Sequence, residues 1–568
     1  MVRESEPRLL AESVVLGVVG GLAAQLFMWA LHTCEHIFLT WMASYRPPGL
    51  PQEGGTLRQV IGPHGLWLVP LATTLGGLLS GFLVYTWAPE AEGHGTDTVV
   101  KAFHRAGGFI RARVSPLKLV ASAITIGSGG SAGREGPTAL IVAGAGSLYA
   151  TLTHRKDEQR QVLLLAGMAA GLSAIFRSPI GAAFFAIEVL YSTMEFEAGA
   201  FLYTMLAAVV AYAVNGWFVG WQPLFYFTAV AGKIRALDYG WLGVLGVSAG
   251  LIATLLPVAF YRLRDAFRSL PIPPALNPAI GGLAVGLLAL GFPQILGGGY
   301  GWIQEAINGG LALKLMLALL FLKIVAFSFT VSSGGSGGIF APTLFVGAML
   351  GGILSSVSHL PSAMFVVLGM TATFGAAARV PIASLIMVTE MTGGYRLLPP
   401  AAFAVLLAYL IQTQLSAHFK YNSMYEAQVP GRAQSPSRYV ENVELALRLL
   451  GTRQIPKAAK IGHVDLVALL DSGVPVSMRG RKELNVGILR PQSALIGKTV
   501  KSCYDAVGGS PLEIVAILRD GEVVLPKPDT VMQPDDRLLI ISSSKARSVI
   551  GEHLAPLGAQ QEPISSKP

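Results

Sequence analysis

The sequence predicts an all-α polytopic membrane protein of two related halves with interrupted helices, followed by a small α/β domain. Composition is the first observation: the 568 residues are 52% hydrophobic and 13% charged, with a mean hydropathy of +0.55, unlike a soluble domain of this size. Charge distribution is the second, since residues 1–430 hold 43 charged side chains and the final 138 hold 32. The third observation is a duplication of glycine-rich segments.

Apolar stretches that could span or partly span a bilayer occur twelve times before residue 430. They cover residues 12–34, 66–87, 137–153, 160–175, 179–193, 199–220, 240–260, 276–292, 311–330, 342–357, 363–378 and 399–416. Several are too short to cross alone. Short apolar helices flanked by Gly or Pro are typical of half-helices buried inside protein, because irregular backbone at membrane depth must be satisfied by protein or water. The basic segments Arg111–Lys118 and His154–Arg160 are expected to face an anionic leaflet, in keeping with a net charge of +9.

The duplication joins two glycine-rich breaks. Residues 129–138 read GGSAGREGPT, and residues 334–343, 205 positions later, read GGSGGIFAPT, with six of ten positions identical. A second repeat lies at an offset of 202 positions. It matches Gly167, Met168, Ala170, Ala174, Arg177, Pro179, Ile180 and Glu188 with Gly369, Met370, Ala372, Ala376, Arg379, Pro381, Ile382 and Glu390. Internally duplicated membrane proteins with interrupted helices bind their solute where the breaks meet, so a transported ion is expected there.

Each break is predicted to open a helix, because Pro137 and Pro342 occupy the first turn, where a missing N–H costs nothing. A helix start presents free N–H groups and a partial positive charge. Two converging starts can therefore hold a partly dehydrated anion, whereas a cation meets the wrong sign. The alternative is that the glycines only permit tight helix packing.

Glu135 lies inside the first break, where an ionisable side chain is expensive and indicates function. An ionised carboxylate at an anion-binding helix start competes with the anion, and a protonated or displaced one opens the site. Glu135 is therefore predicted to act as a gate, with a proton-carrying role also open. The alternative is a carboxylate that simply pairs with neighbouring Arg134.

Other function classes find little support in the sequence. Residues 297–301, GGGYG, are similar to part of a potassium filter, but they lack the preceding Thr-Val and are interpreted as a turn between helices. No metal-ligand spacing and no local catalytic signature indicates a membrane enzyme, so neither a metal site nor catalysis is predicted. Basic residues are scattered between apolar segments, which argues against nucleic-acid binding.

The residues at the two breaks resemble the CLC family of chloride channels and proton-coupled chloride antiporters. Residues 133–137, GREGP, match its gating motif, and residues 338–342, GIFAP, match its second selectivity motif. The resemblance covers about residues 10–430 and implies a homodimer in the bilayer with one anion pathway per subunit, gated by Glu135. The anion contacts that it implies are His94, Gly95, Arg134, Gly136, Ile339, Phe340 and Tyr425.

The first departure from the family pattern concerns His94. Where the family has Gly-Ser-Gly-x-Pro, this chain reads Gly93-His94-Gly95-Thr96-Asp97, so imidazole replaces the serine hydroxyl. Histidine donates an N–H as serine donates an O–H, and its ordinary pKa near 6.5 adds a charge switch. The alternative is that the ring swings away and only backbone contacts the anion.

The second departure concerns protons. Antiporters of the family commonly carry a proton-loading glutamate at the position of Val189, which cannot titrate. No proton-relay residue is therefore assigned, unless neighbouring Glu188 or a water chain substitutes. Because Glu188 has a repeat partner in Glu390, a structural role is favoured for it.

The C-terminal part is predicted to be a separate module. Alternating apolar runs at residues 486–489, 512–518, 523–525 and 538–541 are separated by turn residues, as in a small α/β fold. The region resembles the RCK C-terminal (TrkA-C-like) domain of bacterial ion transport systems. We expect a transmembrane domain over 1–430, a linker over 431–481, the RCK-like domain over 482–555 and a disordered tail over 556–568.

The resemblance implies a prokaryotic protein of the inner or plasma membrane with its C-terminal domain in the cytoplasm. Only two cysteines, Cys34 and Cys503, are present, so no disulfide framework is implied. Chloride or a similar inorganic anion is the expected cargo, without a cofactor. A Glu-gated, voltage- or pH-sensitive channel is favoured over a proton/chloride antiporter, and the C-terminal domain either senses a small molecule or clamps a dimer.

Overall fold

The computed structural model describes residues 7–226, 238–432 and 435, together with several segments between 460 and 555. Those segments are 460–461, 464–465, 476–478, 482–489, 493, 495–502, 512–519, 522–524, 526–543 and 554–555. The chain divides into one compact unit, Met1–Arg432, and a second, Ala433–Pro568.

The first unit is helical. Its α-helices are α1 Pro7–Glu35, α2 Val69–Trp87, α3 Thr96–Arg105, α4 Val114–Gly127, α5 Glu135–Leu152, α6 Asp157–Phe176, α7 Pro179–Glu188, α8 Phe201–Val219, α9 Asp238–Arg268, α10 Asn277–Gly291, α11 Tyr300–Ile307, α12 Leu313–Ser332, α13 Phe340–Ser358, α14 Ser362–Ala378, α15 Pro381–Thr392 and α16 Leu398–Ser416. A π-helical turn, His36–Met42, continues α1. A two-stranded ribbon, β1 Tyr45–Arg46 with β2 Val60–Ile61, lies between α1 and α2.

Nine helical segments in the described residues are long and apolar enough to cross a membrane. All twelve apolar stretches of the sequence contribute to helices, which confirms the helical membrane prediction. Four helices lie outside those stretches: α3, α4, α11 and α15. They are short, with 8 to 14 residues, and glycine, proline or charged residues flank them. The mean hydropathy over a window as long as a membrane span therefore includes these flanks and does not identify the helices.

The two halves use glycine for the same close packing. In the first half, α5 lies against α6, and a Cβ added at Gly167 would lie 2.4 Å from the carbonyl oxygen of Val142. In the second half, α13 lies against α14, and a Cβ at Gly369 would lie 2.3 Å from the carbonyl oxygen of Gly347. The repeat at an offset of 202 residues therefore reflects the same close helix contact in both halves. Small residues generally allow such close contacts between membrane helices.

The second unit contains a six-stranded antiparallel sheet and a short separate ribbon. The sheet consists of β5 Val476–Met478, β6 Lys482–Leu489, β7 Leu512–Arg519, β8 Glu522–Val524, β9 Arg537–Ser543 and β10 Leu554–Ala555, and the ribbon pairs β3 Lys460–Ile461 with β4 Val464–Asp465. Strands lie at all four predicted apolar runs. β5, within the predicted linker, pairs with β6. The predicted tail at 556–568 lies outside the described residues.

Candidate anion pathway

The two glycine-rich breaks are in direct contact. Gly133 and Gly338 form an isolated antiparallel bridge, in which the amide of Gly133 donates to the carbonyl of Gly338 at 2.7 Å and the amide of Gly338 donates back at 2.6 Å. Helix α5 begins two residues after Gly133, and α13 begins two residues after Gly338. The bridge therefore holds two helix starts side by side, which confirms that the breaks meet.

The loop around His94 packs against the same place. Gly95, with φ of +84°, precedes α3, so a third helix also begins here. A Cβ at Gly136 would lie 2.0 Å from the carbonyl oxygen of His94 and 3.2 Å from the Cα of Gly338. Only glycine fits at Gly136, because any side chain would separate the three segments. Gly95, Gly136 and the bridge thus form one close-packed junction.

Glu135 lies at this junction and is fully buried. Its carboxylate is close to Gly133, since a Cβ there would lie 2.2 Å from Oε2. Among the described residues, neither carboxylate oxygen has a hydrogen-bond partner, although the N–H groups of Ala341 and of residues 134–135 face the side chain. A buried carboxylate without a partner is costly. The position therefore suits a group that is exchanged for another anion.

Arg134 does not pair with Glu135. Its guanidinium donates to both carboxylate oxygens of Glu53, at 3.1 and 2.5 Å, and its Cζ lies 4.6 Å from the ring centre of Tyr300. Glu53 comes from the segment between α1 and α2, far away in sequence. The arrangement removes the alternative of a simple Arg134–Glu135 ion pair. The Arg134 guanidinium is therefore engaged by Glu53.

His94 is buried, with 7% of its surface exposed, and its ring does not swing out of the junction. The ring centre lies 5.4 Å from that of Tyr425 and 6.3 Å from that of Phe260. Its Nε2 lies 3.8 Å from Oδ2 of Asp97, whereas Nδ1 is buried and has no hydrogen-bond partner in the described chain. The buried Nδ1 can therefore offer an N–H or a lone pair, according to the tautomer, at the place where the family has a hydroxyl.

The remaining predicted anion contacts are also brought together. Ile339 and Phe340, both 2% exposed, are the residue before α13 and its first residue. The ring of Phe340 packs against that of Phe374 at an interplanar angle of 47°, with 3.9 Å between ring centres. Tyr425 is 2% exposed, and its ring lies edge-on to Phe185. Aromatic walls therefore surround the amides of α13 and the Tyr425 hydroxyl.

Two buried lysines were not anticipated. Lys118 in α4 donates to the carbonyls of Ala91 at 2.9 Å and Gly93 at 2.6 Å, directly before His94. Lys323, exactly one repeat later, donates to the carbonyls of Ile295 at 2.8 Å and Gly297 at 2.7 Å. Both side chains are 0% exposed. The expectation that Lys118 faces the lipid headgroups is therefore wrong, because its ammonium group fixes a loop inside the protein.

The contacts of the two lysines also show which part of the first repeat corresponds to the segment Gly297–Gly301. It is the second-repeat counterpart of the His94 loop, with Gly297 and Gly299 at φ of +56° and +78° and Gly93 and Gly95 at +66° and +84°. The carbonyl of Gly297 accepts from Lys323, and α11 begins within the segment, at Tyr300. A similarity to a cation filter is therefore coincidental, and the segment is more than a connecting turn.

Two cavities approach the junction. One of about 1050 Å³ is lined by His94, Gly95 and Asp97, and another of about 330 Å³ is lined by Arg134 and residues 297–300. Among the described residues none lines both cavities, and Glu135 lines neither. Continuity between the cavities therefore requires movement at Glu135 or its neighbours.

Glu188 and Glu390 cap each other's helices. Glu188, at the end of α7, accepts from the amides of Ile382 at 3.1 Å and Ala383 at 2.6 Å, at the start of α15. Glu390, near the end of α15, accepts from the hydroxyl of Ser178 and from amides at the start of α7. This reciprocal capping supports the structural role favoured for Glu188. Val189 is 0% exposed.

Replacing Glu188 with Ala is expected to lower the stability of the folded protein by about 1–3 kcal/mol, because the buried amides of Ile382 and Ala383 lose their acceptor. Glu390→Ala should have a similar effect. The thermal unfolding midpoint in detergent measures both. If the midpoint were unchanged but proton transport were lost, Glu188 would be a relay and not a cap.

The junction can stabilise a small anion by several independent means. Helix-start N–H groups, an imidazole and a phenol hydroxyl can supply hydrogen bonds, and the buried amino groups of Lys118 and Lys323 hold the adjoining loops in place. The Glu135 carboxylate lies at the same junction. This combination is chemically suited to binding a small anion.

Comparisons with known proteins agree with this chemistry. The family described as voltage gated chloride channel matches residues 76–413, and the TrkA-C domain matches residues 488–553. Proteins named voltage-gated ClC-type chloride channel ClcB, from Escherichia coli O9:H4 (strain HS) and from Escherichia coli O157:H7, are each 30% identical over 417 residues. These matches cover 72% of this chain and 96% of each relative.

Solved structures share the fold. A CLC-type fluoride/proton antiporter is 24% identical with a TM-score of 0.64, covering 75% of this chain and 100% of that one. A slow cyanobacterial Cl⁻/H⁺ antiporter is 21% identical, also with a TM-score of 0.64, covering 74% and 97%. The chain belongs to the CLC family of anion transport proteins, with a TrkA-C domain attached to its helical membrane unit.

Proposed function

We propose that this protein is a chloride channel in which Glu135 is the gate. The observation that carries the proposal is the position of its carboxylate, buried without a hydrogen-bond partner where two helix starts meet. A chloride ion in the same place accepts hydrogen bonds from the surrounding N–H groups. Unlike the Glu135 carboxylate, it is not attached to the chain and can leave. Opening then consists of displacing or protonating Glu135, so conduction depends on voltage or pH.

The absence of a titratable side chain at Val189 favours a channel over an antiporter. Glu188, the nearest carboxylate in sequence, already accepts two backbone hydrogen bonds. Antiport is the second candidate, because the solved structures that share this fold include a fluoride/proton antiporter and a Cl⁻/H⁺ antiporter. It would require a proton route that avoids residues 188–189.

Liposomes decide between these functions. Purified protein is reconstituted with an outward chloride gradient, potassium and valinomycin clamp the voltage, and chloride efflux and external pH are recorded together. We expect chloride efflux without voltage-independent, chloride-driven proton uptake. Uphill proton movement in fixed ratio to chloride would establish an antiporter, and no anion flux would refute both candidates.

The cellular arrangement follows from the relatives. We propose a homodimer in the inner or plasma membrane of a prokaryote, with the TrkA-C domain in the cytoplasm, because the matched relatives are bacterial. We assign chloride as the cargo and neither a cofactor nor catalysis. The TrkA-C domain is proposed to regulate the pathway through a small ligand.

Deleting residues 480–568 removes the central strands of the C-terminal sheet and tests the regulatory role. Chloride efflux is expected to persist, because the residues of the anion pathway all lie in the first unit. The response of efflux to small ligands of the full-length protein should disappear. A truncated protein with the same flux and the same ligand response would remove the regulatory role, and loss of the dimer in light scattering would instead indicate a clamp.

A further inference from the structure

His94 and Asp97 are the two places where one short segment departs from the family pattern, and the structure brings their side chains together. Nε2 of His94 lies 3.8 Å from Oδ2 of Asp97, across the start of α3. His94 precedes the N-cap residue Gly95, and Asp97 lies in the first turn of α3, so the tight loop at Gly95 brings the two side chains together. Imidazole and carboxylate are both titratable, whereas the serine and proline of the family pattern are not.

The two side chains have different access to water. Both line the larger cavity, but Asp97 is more exposed, with 25% of its side chain accessible against 8% for His94. Asp97 is also held in place, because its Oδ1 accepts from the amide of Ala427 at 3.0 Å. A proton from the cavity can therefore reach Asp97 first and the imidazole through it.

The buried side of His94 faces the anion pathway. Nδ1 is buried without a hydrogen-bond partner in the described residues, and the ring lies beside Tyr425. The backbone of the same residue touches Gly136, the neighbour of the gate. His94 therefore connects Asp97 with the place where an anion would bind.

The surrounding charges decide when the imidazole can hold a proton. Lys118 and Arg264 are the charged groups that act on His94, and Arg264 and Glu426 are those that act on Asp97. Asp97 in turn acts on the buried phenols of Tyr261 and Tyr425. Lys118 and Arg264 oppose a positive imidazole, and so does burial. A bound anion adds the opposite charge at close range. Proton and anion should therefore bind together more readily than either alone.

We infer that His94 and Asp97 form a proton-binding site that fills together with the anion, on the larger-cavity side of Glu135. The inference rests on the proposed anion-binding function. A proton enters at the Asp97 carboxyl and passes to Nε2 of neutral His94 through one water of the cavity, because the 3.8 Å between Oδ2 and Nε2 is too long for direct transfer. It leaves a carboxylate beside an imidazolium while the anion is bound. It returns to the cavity by the reverse step. By linkage, the anion raises the affinity for the proton by the same factor that the proton raises the affinity for the anion.

The experiment uses full-length protein carrying Glu135→Gln, so that the gate itself binds no proton. Chloride binding is measured by calorimetry between pH 5.5 and 8 in two buffers of different ionisation enthalpy, which gives the number of protons taken up per anion. We expect up to one proton, and an apparent affinity that falls roughly threefold per pH unit where the site is half filled.

Two further variants on this background locate the proton. His94→Ser restores the hydroxyl of the family pattern and should bind no chloride-linked proton. Asp97→Asn keeps an acceptor for the amide of Ala427 and should still bind chloride, with proton uptake that is smaller or confined to lower pH. Glu90→Gln is the matched control, since Glu90 lines the same cavity but pairs with Arg111 and does not contact His94 or Asp97, and this variant should keep the uptake.

The outcomes separate the inference from the proposed function. Chloride binding without proton uptake in the Glu135→Gln protein would overturn the inference and leave the anion site intact. Proton uptake that persists in a His94→Ser, Asp97→Asn double variant would also overturn it, because the proton would lie elsewhere. Failure of the Glu135→Gln protein to bind chloride would contradict the anion-binding function itself.

Discussion

Replacing Glu135 with Gln is expected to raise chloride affinity by about tenfold, or about 1.4 kcal/mol, because a neutral amide no longer competes for the junction. The wild-type carboxylate competes when ionised, so anion binding should tighten as the pH falls and Glu135 becomes protonated. The variant should lose this part of the pH dependence and the voltage dependence of opening. Chloride binding measured across pH gives the affinity and its pH dependence. Single-channel or liposome flux measured across pH and voltage gives the voltage dependence of opening.

Glu12→Gln is a matched control, since Glu12 is another buried carboxylate of the membrane unit but pairs with Arg155, away from the junction. It should leave voltage and pH dependence as in the wild type. If rate, voltage dependence and pH dependence of the Glu135→Gln protein equalled those of the wild type, Glu135 would not be the gate.

Replacing Lys118 with Met is expected to weaken chloride binding by on the order of tenfold, equal to about 1.4 kcal/mol. The change removes the buried amino group that holds the loop directly before His94 and leaves the carbonyls of Ala91 and Gly93 without their donor. Each buried unpaired carbonyl also costs about 1–3 kcal/mol of stability. Chloride calorimetry and thermal unfolding in detergent together separate the two effects.

Lys323→Met tests the same idea in the second repeat, where the ammonium group supports the loop at Gly297. Lys101→Met serves as the control, because Lys101 lines the larger cavity but is exposed to solvent. Exposed charges are screened, so this variant should bind chloride nearly as the wild type does. Equal losses in Lys101→Met and Lys118→Met would mean that the cavity's total charge matters and the buried position does not.

Contact between the two glycine-rich breaks could be predicted from sequence because short-range signals mark it. Each break combines glycines with a proline in the first turn of an apolar helix, and the duplication shows that both are parts of one site. The helix starts and Glu135 follow from these local rules. The bridge between Gly133 and Gly338 is the contact that these rules predict.

The supporting side chains could not be predicted in the same way. Lys118 and Lys323 share the offset of 205 residues with the two breaks, and this was the available signal, but a lysine next to a basic loop is usually at the surface. Their carbonyl partners become apparent only when the loops fold back onto α4 and α12. Glu53, which binds Arg134, lies 81 residues away and has no repeat partner to identify it.

The loop at Gly297 shows why similarity in composition can mislead. Three consecutive glycines carry no side-chain chemistry, so the sequence could not distinguish a filter, a turn and a repeat of the His94 loop. Backbone dihedrals and the Lys323 contacts decide among them. The second repeat therefore keeps the architecture of the first but lacks its imidazole and carboxylate, which confines the proposed proton site to one cavity.

The central claim is that the Glu135 carboxylate occupies the place of a bound anion. Crystal structures of the wild-type and Glu135→Gln proteins in bromide, with anomalous diffraction at the bromine edge, test it most directly. We predict a bromide peak between the starts of α5 and α13 in the variant, at the position that the carboxylate fills in the wild type. Bromide at that position beside an undisplaced wild-type carboxylate, or no bromide there in either protein, would contradict the claim.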